Sequence, residues 1–205
     1  VTAGRGAEIT ILLALVSLAI VGALSGYGGE DEATPAGADD EDTIRELSPP
    51  SGEGATPDER THSYNEDFVV GEERYPAEFV IKSAGVTNQM KGGIIEDEEP
   101  DGVYLIVEFE VTSQADEPFT LSRDKLRLVD SQERELEPDG GATRAVDSDP
   151  RINPDGMESE RLQPGVTVER AVVYEVAPGE SYTLKVEPTG ILNTASPHYV
   201  PLGGT

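Results

Sequence analysis

One run of strictly alternating side chains limits the possible folds of this chain more than any other feature. Between positions 103 and 111 every second residue is apolar: Val103, Leu105, Val107, Phe109 and Val111. Glu108, Glu110 and Thr112 occupy the other parity of the same stretch. A period of two residues is that of a β-strand with one face buried and one face in water. The sequence therefore predicts a long strand here, and such a strand requires partner strands.

Several other segments repeat this alternation along the chain. They lie at residues 79–86, 119–121, 126–130, 135–137, 166–176 and 182–186. Proline and glycine, which favour turns, separate them at residues 99–102, 138–141, 163–165 and 177–179. No stretch after Phe68 shows sustained helical periodicity. We therefore predict an all-β, immunoglobulin-like antiparallel β-sandwich over residues 68–205, with a closed barrel as the architectural alternative.

A long apolar run near the amino terminus predicts a membrane segment. Residues 9–27 contain no charged side chain and are just long enough to span a bilayer as a helix. Arg5 precedes the run and three acidic residues follow it at 30–32, so the positive-inside rule places residues 1–8 in the cytoplasm and the body of the protein outside. We predict a single-pass anchor. A cleaved signal peptide stays open as the alternative, because small residues at 21–25 suit a signal peptidase.

The tract at residues 28–67 has the composition of a linker. It carries 13 acidic and 2 basic residues, and its large apolar side chains are Ile44, Leu47 and Tyr64. Like charges repel along such a segment, and so little apolar surface does not offset the entropy lost on ordering. We predict a disordered acidic tether between the membrane and the domain.

The charge of the whole chain excludes one class of function and suggests an environment. There are 41 acidic and 15 basic residues, a formal net charge of −26, which excludes nucleic-acid binding by phosphate neutralisation. The acidic excess extends into residues 68–205, and arginine outnumbers lysine. Concentrated salt shortens the Debye length to about 3 Å at 1 M and screens self-repulsion. We therefore predict a protein of a halophile, of archaeal type.

The residues usually needed for catalysis and cofactor binding are scarce. The chain has no cysteine, which excludes disulfides, thiolate metal sites and cysteine nucleophiles. Its two histidines are His62, in the predicted tether, and His198, in a proline-flanked terminal segment where we predict a surface or edge-strand role. No Gly-x-Ser-x-Gly elbow is present. We predict that the protein is not an enzyme, has no catalytic residues and binds no cofactor.

One loop offers weak candidates for calcium ligands. Asp149, Asn153 and Asp155, followed by Gly156, have the composition of a calcium-binding loop. The register fails, because an EF-hand alignment would place Arg151 at the first ligand position and Leu162 at the bidentate glutamate position. The dense carboxylate run at 96–101 is interpreted as a solvated loop. No metal site is therefore predicted beyond these weak candidates.

Several of these segments occur in an order that resembles a known family. The segments are VYLIVEFEVT at 103–112, LRLVD at 126–130, LQPG at 162–165, VYEVAP at 173–178 and YTLKV at 182–186. They are similar to the telokin-like, immunoglobulin-like domains of unknown function on prokaryotic surface lipoproteins, and PHYVPLG at 197–203 resembles the ending of such domains in halophilic archaea. LSGY at 24–27 resembles a lipobox with Tyr27 in place of the cysteine. The resemblance implies an extracytoplasmic module without established catalytic residues.

These observations lead to a predicted function and two alternatives. We predict a membrane-tethered, extracytoplasmic module that binds an unidentified cell-surface protein and contacts the membrane through its N-terminal helix. The first alternative is a pilin- or archaellin-like filament subunit, because RGAEIT at 5–10 partly resembles a prepilin peptidase site. The second is a secreted accessory or substrate-binding domain, for which four Phe, seven Tyr and no Trp supply few aromatic groups.

Overall fold

A computed structural model of the chain describes residues 43–49, 60–71, 75–91, 100–190 and 195–205. The predicted cytoplasmic segment at 1–8, the anchor at 9–27 and residues 28–42 and 50–59 of the predicted linker lie outside these ranges. Within the described ranges, no helix is long and apolar enough to cross a membrane.

The described part of the chain is mostly β, with several sheets and one short α-helix, α1. The strands are β1 (Arg45–Glu46), β2 (Asp67–Val70), β3 (Ala77–Thr87), β4 (Val103–Ser113), β5 (Phe119–Ser122), β6 (Leu126–Val129), β7 (Glu135–Leu136), β8 (Asp155–Gly156), β9 (Ser159–Leu162), β10 (Thr167–Val176), β11 (Ser181–Val186) and β12 (His198–Gly204). The helix is α1 (Gly140–Ala145). Short 3-10 turns follow β5 at Arg123–Lys125 and α1 at Val146–Ser148.

The largest sheet is built around the strand with the strongest alternation. Its order is β1-β3-β4-β10-β8, and β2 also pairs with β3. β4 lies between β3 and β10, antiparallel to both, with Val107 opposite Val172 and Ala84. The long strand predicted from the sequence is therefore confirmed, and its central position explains why its alternation is the clearest in the chain.

A second sheet faces the first across one hydrophobic core. Its order is β12-β11-β6-β7, and β5 and β9 form a separate pair. One buried cluster contains side chains of both sheets, including Val107 and Phe109 on β4 and Leu128, Leu184 and Leu202 on the second sheet. Such layers, each burying one face against the other, are those of a β-sandwich.

A polar contact also joins the two sheets. Tyr174 on β10 is fully buried, and its hydroxyl donates to the carbonyl of Leu126 on β6 over 2.9 Å. Burial raises the pKa of the Tyr174 hydroxyl well above its ordinary value. The tyrosine therefore fills the core while its one polar group has a partner, as buried polar groups require.

The outer face of β4 is covered, which the alternating pattern did not predict. Tyr104 and Ile106 belong to a second buried cluster together with Ala142 and Ala145 of α1. Asp139 is the N-cap of this helix, and its carboxylate accepts a hydrogen bond from the amide of Ala142 over 2.7 Å. The sequence predicted a turn at 138–141 and no helix. A helix of six residues is too short for a helical period to be detected.

Part of the predicted linker belongs to the domain. Residues 43–49, which we call the N-terminal strap, include β1, and β1 pairs with β3 at Val86 and Gly85. The amide of Leu47 donates to the carbonyl of Ala84 over 2.8 Å, and the Leu47 side chain is 5% exposed in the main core. The strap therefore packs against the domain through one buried leucine and backbone hydrogen bonds, although its composition is that of the predicted linker.

The end of the predicted linker is also ordered against the domain. Residues 60–66, which we call the edge segment, lie beside β12, where the amide of His62 donates to the carbonyl of Tyr199 over 2.9 Å. The hydroxyl of Tyr64 donates to the carbonyl of Leu202 over 2.9 Å. Thr61 pairs with Tyr199 of β12 and Asp67 pairs with Val80 of β3, so strand pairing extends to the amino-terminal side of Phe68, where the sandwich was predicted to begin.

Candidate functional site

A groove of about 300 Å³ lies on the outer face of the large sheet. It is bounded on one side by the strap and on the other by the loop that holds Arg151. Its lining combines apolar and charged groups: Ile44, Glu46, Ser83, Ala84, Gly85, Ile106, Glu108 and Arg151. A groove with an apolar floor and a few convergent polar groups is the usual form of a binding site.

Glycine at position 85 determines how closely the strap approaches the floor. A Cβ atom added to Gly85 would lie 2.7 Å from Cγ2 of Ile44 and 3.4 Å from the carbonyl oxygen of Arg45. The first distance is shorter than a van der Waals contact and the second lies at the lower limit of the ordinary range, so any side chain at position 85 would require Ile44 to move. One wall of the groove therefore depends on residues that the sequence assigned to the linker.

Two carboxylates give the groove an acidic character. Glu46 on the strap is exposed, and Glu108 on β4 is half-buried and accepts a hydrogen bond from the Ser83 hydroxyl over 3.1 Å. The register between β3 and β4 shifts between Ile81 and Ser83, a local irregularity in the strand that carries the serine. The groove therefore offers oxygen acceptors beside apolar surface.

The positive charge of Arg151 is balanced within the fold. Its Nε donates to Oδ1 of Asp149 over 2.9 Å and its Nη2 donates to Oδ2 over 2.6 Å. Nη2 also donates to the carbonyl of Gln89 over 2.8 Å and Nη1 to the Thr87 hydroxyl over 3.3 Å. This bidentate pair fixes the guanidinium at the edge of the groove and leaves the net charge of the lining negative.

Asp149 is therefore a structural carboxylate. Its side chain is fully buried, and besides Arg151 it accepts a hydrogen bond from the amide of Lys91 over 2.8 Å. Burial alone raises the pKa of the Asp149 carboxyl, but the hydrogen bonds from Arg151 and from the Lys91 amide outweigh it, so the net pKa is lowered. Both oxygens of this calcium candidate are bonded to cationic or amide donors.

The other calcium candidates lie apart from that carboxylate. Asn153 is exposed, and Asp155 is exposed on β8, which pairs with β10. Among the residues that the structure describes, no group of three or more His, Asp or Glu side chains could hold a metal ion. Residues 96–99 of the predicted solvated loop lie outside the part of the chain that the structure describes. At the end of that loop, the amide of Asp101 donates to Oε1 of Glu175 over 2.6 Å.

The two histidines, separated by most of the domain in sequence, meet in the fold. Nε2 of His62 and Nδ1 of His198 are 2.8 Å apart. The His62 ring stacks on Phe68 with centroids 4.3 Å apart, and its Nδ1 lies 3.4 Å from Oε1 of Glu66. The sequence does not predict this pair, because His62 lies in a tract of linker composition. Two sequence signals could have predicted that the histidines meet. They are the apolar residues after His62 and the strand-like pattern of residues 198–204.

A second, larger depression is mostly polar. It measures about 410 Å³ and lies beside Ser122, Arg123 and Glu158. Glu158 accepts from Arg123 over 3.2 Å and lies 3.3 Å from Nη1 of Arg144. Because these charges pair with one another and no apolar floor accompanies them, the groove beside the strap is the better candidate for a binding site.

Residues 70–195 match the family described as "Domain of unknown function (DUF4352)". The chain belongs to this family. The DUF4352 match covers β3 to β11, which include strands of both sheets, whereas β1 and β12 lie outside it. It begins after the strap and the edge segment, so the wall of the groove formed by the strap lies outside the residues matched. No curated protein matches the chain.

Solved structures of similar fold include several bacterial proteins. The yjhA protein of Bacillus subtilis is 18% identical with a TM-score of 0.51, covering 68% of this chain and 98% of that one. A candidate lipoprotein of the same species, ycdA, is 14% identical with a TM-score of 0.49, and the match covers 70% of this chain and 39% of that one. The secreted protein MPT63 of Mycobacterium tuberculosis is 7% identical with a TM-score of 0.45, and the match covers 73% of this chain and 99% of that one. The likeness to yjhA indicates a shared fold for this DUF4352 chain.

Proposed function

We propose that this chain is a membrane-tethered, extracytoplasmic β-sandwich of the immunoglobulin-like, telokin type that binds a cell-surface protein and catalyses no reaction. The groove between the strap and Arg151 is the observation that carries the binding role, since it joins an apolar floor to oriented oxygen acceptors. The apolar run at 9–27 and its flanking charges support the tether and the export of the domain.

The chemistry of the groove favours one kind of partner group. The half-buried Ile44 supplies apolar surface, while Glu46 and Glu108 supply negative charge. The charge of Arg151 is already balanced by Asp149. A lysine or arginine side chain of the partner would lay its methylene groups on the floor and its cationic end beside the carboxylates.

Site-specific photo-crosslinking in the native cells tests this proposal. A photo-reactive amino acid replaces Glu46 at the groove, and in a matched control it replaces Val166, which is 45% exposed at the start of β10. The carbonyl of Val166 accepts from the amide of Ser113 at the end of β4, seven residues along the strand from Ile106, so the two probes sample separate surfaces. We expect a discrete protein adduct from position 46 and none from position 166. Equal labelling from both positions, or none from position 46, would contradict the proposal.

A further inference from the structure

We propose that His62 and His198 form a proton-controlled latch that holds the edge segment against β12 and opens in acid. The two rings belong to different parts of the fold. His62 lies in the edge segment, and His198 is the first residue of β12. Their facing nitrogens are 2.8 Å apart, a hydrogen-bond distance. The latch therefore joins the segment that enters the domain from the amino terminus to the last strand of the domain.

The geometry allows the latch to hold one shared proton between the rings. In a neutral pair, one nitrogen donates and the facing nitrogen accepts. In a singly protonated pair, His62 donates from Nε2 to His198 and from Nδ1 toward Glu66, which lies 3.4 Å away. When both rings are protonated, both facing nitrogens carry hydrogen and neither accepts, so the hydrogen bond is lost and two positive charges are in contact.

The surroundings of His198 oppose the binding of a second proton by the pair. Burial, followed by the charges of His62 and Arg60, lowers the pKa of His198 below its ordinary value of 6.5. Phe68 of β2 stacks on both rings, with centroids 4.3 Å from His62 and 5.6 Å from His198, and offers them no charge. Glu66 is the facing carboxylate, and the hydrogen bond from the Ser63 amide, ahead of that from His62, lowers its pKa.

The sign of the pH effect follows from these contacts. The released form of His198 binds its second proton more readily than the latched form does, so acid favours release. The latch is fully present above pH 6.5 and weakens as the pH falls below that value. Glu66 remains ionised across this range because its pKa is lowered from 4.5.

Opening would expose a sheet edge. The amide of Tyr199 donates to the carbonyl of Arg60 over 2.8 Å, and its own carbonyl accepts from the amide of His62. β11 occupies the other side of β12. Loss of the edge segment therefore returns the amide and carbonyl of Tyr199 to a free strand edge, which is able to add a strand from another chain.

Hydrogen exchange of the full chain at pH 7.5 and pH 5.0 tests the latch. Protection factors, corrected for intrinsic rates, are compared for the amides of His62 and Tyr199. The control amide is that of Leu47, which holds the strap to Ala84 without a histidine. We expect about tenfold loss of protection at His62 and Tyr199 in acid, and no change at Leu47.

A variant separates this latch from general acid effects. In His198→Asn the amide oxygen can accept from Nε2 of His62 but does not titrate, so protection at His62 and Tyr199 should stay constant between the two pH values. As a measurement that needs no variant, the two imidazole signals in NMR report the ring that titrates below 6.5, and its titration should coincide with the loss of protection. Unchanged protection in the natural chain, equal loss at Leu47, or equal loss in His198→Asn would overturn the latch.

Discussion

A buried carboxylate and its guanidinium partner hold the loop at one end of the groove. Asp149 is fully buried and Arg151 is 15% exposed, so removal of one charge leaves the other without compensation in a poorly solvated site. We expect Asp149→Asn to lower the free energy of unfolding by about 3 kcal/mol in denaturant titrations. Its matched control is Glu110→Gln, which removes the more exposed pair with Lys82 at 3.0 Å and should cost less than about 1 kcal/mol.

The pH dependence of that difference has a defined sign. Because the folded pKa of Asp149 is lowered from 3.8, its ionised form stabilises the fold above that value, and the stabilisation is lost as the pH falls through the folded pKa. The natural chain and Asp149→Asn should therefore differ most near neutral pH and converge in strong acid. Equal unfolding free energies for Asp149→Asn and Glu110→Gln at neutral pH would show that the buried pair does not stabilise the loop.

Among the secondary-structure elements, the strap makes the clearest stability prediction. Leu47 belongs to the main core, although it lies in a tract of linker composition. We expect Leu47→Ala to cost about 3 kcal/mol of unfolding free energy, because it removes buried apolar surface and leaves a cavity. Val166→Ala, at a 45% exposed position, should change stability by no more than about 0.5 kcal/mol. Equal denaturant midpoints for Leu47→Ala and Val166→Ala would show that the strap does not pack against the domain.

Which elements the sequence predicts depends on how much of their stability is local. β4, β10 and β11 were predicted because each is long and alternates between a core face and a polar face, the pattern that a half-buried strand requires. β1 and β8 contain two residues each, none of them large and apolar, so no sequence pattern predicts them. They form because a longer strand supplies their hydrogen-bond partners, which is a tertiary effect.

The candidate site was harder to predict than the fold. Its floor comes from strands that the alternation identified, but its two walls come from Glu46 in a supposed linker and from the loop at Arg151. In the sequence Arg151 only disrupts a calcium register, whereas in the structure it pairs with Asp149, one of the three weak calcium candidates. Sequence spacing does not reveal that this pair borders a groove, because the path of the chain in three dimensions brings the strap to the opposite wall.

For the whole molecule, the excess of carboxylates predicts a strong dependence on salt. The whole chain has a net charge of −26, and its acidic excess extends into the folded domain, where dilute buffer screens the repulsion poorly. We expect the midpoint of thermal unfolding to rise from dilute buffer to about 2 M potassium chloride, and cooperative unfolding to be lost at low ionic strength. Sucrose of equal osmolality is the control, since it favours compact states without screening charge. An unchanged midpoint in potassium chloride would contradict a charge-screening role for salt.

The proposed location of the domain is tested most directly by protease treatment of intact cells, with detection of the domain in membrane and soluble fractions. If residues 9–27 tether an exported sandwich, the domain is recovered with membranes and is degraded from outside, while a cytoplasmic protein in the same cells stays intact. Recovery of the domain in the cytosol, protected from protease until the cells are lysed, would contradict the account.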